Sequence, residues 1–178
     1  MLGALIEGFR LLRDSNSRDM NTEQKVPGEI YWSVIEPIWD SISIYDGPEV
    51  FLLQFGKVSS EVGNLFASHW CQSEVCNGGF DQFFYNSTGV LAPEAAKGFQ
   101  AIGLCDLAEL VRKAMSIFGD PYPRDRGVRC DLLERVAGVG GEGGDQLDQL
   151  DHKFYACLGV GHQRYSLAAD KYARQIAA

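Results

Sequence analysis

The residues whose types could do chemistry gather between Glu74 and Asn86. In the run Glu74-Val75-Cys76-Asn77-Gly78-Gly79-Phe80-Asp81-Gln82-Phe83-Phe84-Tyr85-Asn86, the carboxylate of Glu74 and the amides of Asn77, Gln82 and Asn86 flank two adjacent glycines. Gly78 and Gly79 give the backbone access to positive φ, so a helix ending near Cys76 can turn sharply and the aromatic segment can return against it. Polar side chains placed this way serve one of two ends. They hydrogen-bond the backbone groups that a helix break orphans, or they line a small polar pocket for a ligand or a partner loop. Glu74, Asn77, Gly78, Gly79, Gln82 and Asn86 are the residues expected in either role.

Other constellations carry less. Asp145, Asp148 and Asp151, with His152 following, form a slanted acidic stripe on a helix, each carboxylate about 4.5 Å further along the axis. A solvated helix N-terminus accounts for it, and a metal site would need ligands from another helix. His69 lies on an apolar helix face, as hydrogen-bonded core histidines do. Cys71, Cys76, Cys105, Cys130 and Cys157 form no C-x-x-C pair and read as reduced, mostly buried small hydrophobes of a cytoplasmic protein. Gly138 to Gly143 satisfies G-x-G-x-x-G, but a helix precedes it and Glu142 sits inside it, so it reads as a linker. No serine or cysteine has a recognisable base partner. No catalytic residue, metal ligand or cofactor is expected.

The chain has 178 residues and a net charge of -8. Between Val26 and Val90 there are eight acids and a single base, Lys57, whereas twelve acids and eleven bases nearly cancel from Leu91 onward. Of the early acids, Glu29, Glu36, Asp40, Asp46, Glu49 and Glu61 are the candidate partner-binding residues. A field of one sign repels nucleic acid and anionic membranes and attracts basic proteins. Arg124, Arg126 and Arg129 make too small a basic patch for direct DNA binding. They are expected to pair with acids of this chain or of a second copy, which leaves a homodimer open.

The elements that must position these groups are helical throughout. Apolar residues recur at helical spacing and no segment alternates as a strand would, which predicts a single all-α domain, a bundle of roughly eight to ten short helices. Residues 1–28 read as an N-terminal helix, with Leu2, Leu5, Ile6, Phe9 and Leu12 on one face, and a flexible connection. Residues 30–119 form the core, and residues 120–178 hold the closing helices and a glycine-rich linker at 138–144. In that last part, Pro121 to Arg129 reads as a loop, Asp131 to Val136 as a short helix, and Asp145 to Leu158 and Gln163 to Ile176 as the final two. Apolar runs fall far short of the roughly 20 residues that a membrane span needs.

The Glu74 to Asn86 run, with Gly89 after it, resembles the signature of a bacterial family long described as a domain of unknown function and named after a DNA-mimic protein. The resemblance continues upstream through Trp39 to Phe51 and downstream through Gly98 to Gly119, covering most of residues 30–119. It implies an all-α fold and, as for the member that named the family, mimicry of DNA phosphates that occupies a DNA-binding protein. Two functions are therefore expected. One is an acidic interaction module, a DNA mimic facing a basic partner such as a transcription regulator. The other is a scaffold without enzymatic activity whose Asn77-Gly78-Gly79 corner binds a small molecule or peptide.

Overall fold

The computed structural model describes residues 26–137 and 142–176. The expected N-terminal helix and residues 138–141 of the glycine-rich linker lie outside the described residues. Within them the protein is an all-α bundle of eight helices: α1 (Glu29–Ile35), α2 (Pro48–Phe55), α3 (Ser60–Tyr85), α4 (Ala92–Ala101), α5 (Cys105–Ser116), α6 (Arg126–Ala137), α7 (Glu142–Leu158) and α8 (Gln163–Ile176). Short 3-10 turns follow α1 (Glu36–Ser41), precede α4 (Ser87–Leu91) and join α7 to α8 (Val160–His162).

The punctuation follows from single residues. Pro37 lacks an N–H and cannot continue α1, so the chain tightens there into a 3-10 turn. Pro48 opens α2 and Ser59 caps α3, its hydroxyl accepting from the Val62 N–H at 3.3 Å. Two boundaries differ from the sequence reading. The expected loop from Pro121 to Arg129 ends early, because Asp125 accepts from the Val128 N–H at 3.0 Å and starts α6 at Arg126. The helix expected from Asp145 begins three residues sooner, at Glu142.

The axis of the bundle is α3, which packs against α1, α4, α6, α7 and α8. Its apolar side carries Leu65, Phe66, Cys71, Val75, Phe80, Phe83 and Phe84, all fully buried. Burying each phenyl ring stabilises the fold by about 1.5–3 kcal/mol. Helices α3 and α4 approach closely at Gly98, where a Cβ would lie 2.3 Å from the Asn64 carbonyl oxygen. Only a glycine lets the two backbones meet there. No helix of the described residues is long and apolar enough to cross a membrane.

Candidate functional site

The glycine pair breaks α3 in two. Gly78 has φ -164 and ψ 25, and Gly79 has φ 75 and ψ -179, so neither continues the helix. The bend is sharp enough for Gln82 Nε2 and Asn86 Nδ2 to donate to Glu74 Oε2 at 3.3 and 3.0 Å. In an unbroken helix these residues would be about 12 and 18 Å from Glu74 along the axis. The carboxylate of Glu74, 5% exposed, is thus held by amides of the returning half.

The backbone groups freed by the break are satisfied from α7, not by the local amides. Asp151 Oδ1 accepts from the Phe80 N–H at 2.8 Å, and the Tyr155 hydroxyl donates to the Val75 carbonyl at 2.8 Å. One turn of α7, residues four apart on one face, therefore caps both the start of the second half and the end of the first. Asp151 lies so near that a Cβ on Gly79 would be 2.3 Å from its Oδ2. Burial pushes the Asp151 carboxyl up to about 6; the Phe80 N–H and His152 pull it down, while Asp148 and Asp81 push it further up.

Of the three arginines expected to seek acids, Arg126 and Arg129 cap the far end of α3 and Arg124 binds an acid. Arg124 grips Glu94 with two bonds of 2.7 Å. Arg126 Nε instead donates to the Tyr85 carbonyl at 2.9 Å. Arg129, fully buried, donates to the carbonyls of Phe84 at 3.0 Å, Asn86 at 2.9 Å and Arg124. Positive groups there complement the negative end of the helix dipole. Burial draws the Arg129 guanidinium below its ordinary value. Similarly, Asp170 of α8, 4% exposed, accepts from the N–H groups of Gly28, Ile30 and Tyr31 at 2.8, 3.1 and 2.9 Å and caps α1.

Beside the break lies a cavity of about 440 Å³, within the range of ligand pockets. All three tryptophans of the chain, Trp32, Trp39 and Trp70, line it together with Tyr31 and His69. Gln72, Ser73, Asn77, His162 and Ser166 supply polar groups. The Tyr31 hydroxyl and His69 Nδ1 are hydrogen-bonded at 3.1 Å, and burial holds the His69 imidazole down at about 4, neutral at physiological pH. Trp70, 7% exposed, keeps a buried Nε1 with no hydrogen-bond partner among the described residues.

Of the corner residues, only Asn77 lines this cavity. Glu74, Gln82 and Asn86 bond one another, Gly79 is closed by Asp151, and a Cβ on Gly78 would meet the Gln82 side chain. The cavity lies about one turn nearer the N-terminus of α3, and Glu74 and Gln82 do not line it. The six candidate acids, Glu29, Glu36, Asp40, Asp46, Glu49 and Glu61, are all exposed, on α1, the turn after it, the α2 entry and the first turn of α3. The five cysteines are free, and no group of three or more His, Cys, Asp or Glu among the described residues is arranged to hold a metal ion.

Sequence reasoning missed Asp151, Tyr155, Arg129 and Asp170 as the groups that hold α3 and α1. It also missed the meeting of Trp32 and Trp39 with Trp70. The i, i+4 spacing of Asp151 and Tyr155 was the one local signal. Their contact with residues more than seventy positions earlier has none.

These features define an all-α bundle built around a broken central helix whose break and C-terminal end are capped by side chains from distant helices. The chain matches the family model of the DMP19-like protein over residues 56–176 and belongs to that family. The match takes in the C-terminal helices with the caps Arg129, Asp151 and Asp170, where the sequence resemblance had been placed mainly over 30–119. No curated protein and no solved structure matches the chain.

Proposed function

We propose that the chain is an acidic interaction module that, like the DNA-mimic protein for which its family is named, occupies the DNA-binding surface of a basic partner. The observation that carries this is a set of exposed acids in the first half of the chain, where Lys57 is the one base between Val26 and Val90. Glu94, Asp106 and Glu109 are paired with Arg124, Arg164 and Lys113. Glu29, Glu36, Asp40, Asp46, Glu49 and Glu61 are exposed, and among the described residues none of them is in an ion pair. Their field points outward, unneutralised, toward any cationic surface.

Glu29 opens α1 and Glu36 follows directly after its last residue, so the two carboxylates bracket that helix. Glu29, Glu49 and Glu61 also lie in first turns, where the positive end of the helix dipole favours a carboxylate. Amide replacements are therefore the right test, since they remove charge with little change of shape. Direct DNA binding is disfavoured because the arginine cluster is spent on internal carbonyls and Glu94.

The experiment is affinity capture from the host's lysate after nuclease treatment, with elution first by duplex DNA and then by salt. The reading stands if a basic DNA-binding protein is released by both, and if the sixfold amide variant fails to capture it. Retention of the same protein by that variant overturns the reading.

A further inference from the structure

The tryptophan-lined cavity is not used by the acidic face, and its chemistry narrows what it can take. No Lys, Arg, Asp or Glu is among its lining residues. An anion would find no counter-charge there, and it would have to enter against the field of a chain of net charge -8. A primary ammonium would bring three N–H donors to a site with no carboxylate to receive them, which buried charge does not tolerate. A flat heteroaromatic ring is held best between two parallel walls. The one parallel pair present, Trp39 and Trp70 at 4.7 Å and 17°, is closed on itself. The remaining rings meet at angles: Trp32 and Trp39 at 52°, Trp32 and His69 at 53°, Trp39 and His69 at 78°. At centroid distances of 5.1, 5.3 and 5.4 Å these rings pack on one another, so a guest rests on the faces they turn to the cavity and not between them.

We propose that this cavity binds a quaternary ammonium group, a trimethylated nitrogen carried by a small molecule or by a lysine side chain. Such a cation has no N–H to satisfy, so a pocket without carboxylates costs it nothing in hydrogen bonds. It is attracted by electron-rich ring faces, most strongly those of tryptophan, and by the negative field of the chain. The neutral His69 adds no opposing charge. Gln72, Ser73 and Asn77 at the wall can meet a hydroxyl or amide on the arm that bears the ammonium. The cavity is larger than a trimethylammonium head and has room for that arm. This assignment does not depend on the acidic face, and either can fail alone.

Because all three tryptophans line the cavity, the intrinsic fluorescence of the full chain reports it directly. The test titrates the full chain with choline, with its neutral carbon isostere 3,3-dimethylbutanol, and with a trimethyl-lysine peptide and its unmodified form, checked by calorimetry. Saturable binding of a quaternary ammonium probe, about tenfold tighter than its uncharged or unmethylated counterpart, is the expected result. Trp32→Leu, verified as folded by circular dichroism, should weaken it by a similar factor. Tighter binding of choline assigns a free small molecule, and tighter binding of the peptide assigns a protein-borne lysine. Equal binding of the isostere, or no saturable binding because another segment already fills the cavity, overturns the proposal.

Discussion

Replacing Asp151 with Asn separates the two things its carboxylate does at the break in α3. The amide keeps an oxygen for the Phe80 N–H, which Asp151 now receives at 2.8 Å, but it cannot ionise. In the folded protein the carboxyl titrates at about 6, against an ordinary value of 3.8 that the unfolded chain should show. Between those values the folded state binds more protons than the unfolded one, so this group adds stability as pH falls through that window and subtracts it above about 6. At full strength such a shift corresponds to about 3 kcal/mol. The side chain is only partly buried, and solvent screening reduces the expected effect to about 1–2 kcal/mol. Urea unfolding of wild type and Asp151→Asn should therefore show the variant equal or more stable at pH 8, with wild type gaining about 1–2 kcal/mol on it by pH 4. A difference that does not change with pH, or that changes in the opposite sense, refutes the reasoning.

The other caps and contacts give further expectations. Gly98→Ala places a methyl against the Asn64 carbonyl and should cost about 1–3 kcal/mol or more, read by urea unfolding. Arg129→Met removes the donor to three carbonyls and should destabilise by about 3 kcal/mol, also seen as a lower unfolding midpoint. Asp170→Ala leaves the N–H groups of Gly28, Ile30 and Tyr31 without their acceptor. It should cost about 1–2 kcal/mol and speed amide exchange at Ile30 and Tyr31 ahead of the rest of the bundle.

The all-α class, and most helix ends within residues 26–137, could be read from the sequence because they depend on local chemistry. Pro37, Pro48, Gly103 and Gly119 each act within a turn of where they stand, and Gly103 and Gly119 take the positive φ that stops a helix; the Ser59 cap that separates α2 from α3 was not read, and the stretch from Pro48 to Cys76 looked like one helix. The break at Gly78 and Gly79 was legible for the same reason. The caps that stabilise it were not, since a single acid on α7 looks the same in sequence whether it faces water or the Phe80 N–H. The start of α6 was obscured by an arginine-rich stretch with a glycine, whose helicity comes from Asp125 and from carbonyls at the end of α3. The cavity was hidden for a related reason. Trp32, Trp39 and Trp70 each fit an ordinary apolar helix face, and only the crossing of α1, its following turn and α3 brings them together.

The partner reading is tested most directly by the salt dependence of binding to the captured protein. Affinity would be measured by calorimetry at several salt concentrations for wild type and for the variant carrying amides at Glu29, Glu36, Asp40, Asp46, Glu49 and Glu61. If these carboxylates stand in for phosphates, wild-type affinity falls steeply with ionic strength, duplex DNA competes, and the variant binds weakly with a much flatter salt dependence. Equal affinity and equal slope for the two proteins would contradict it.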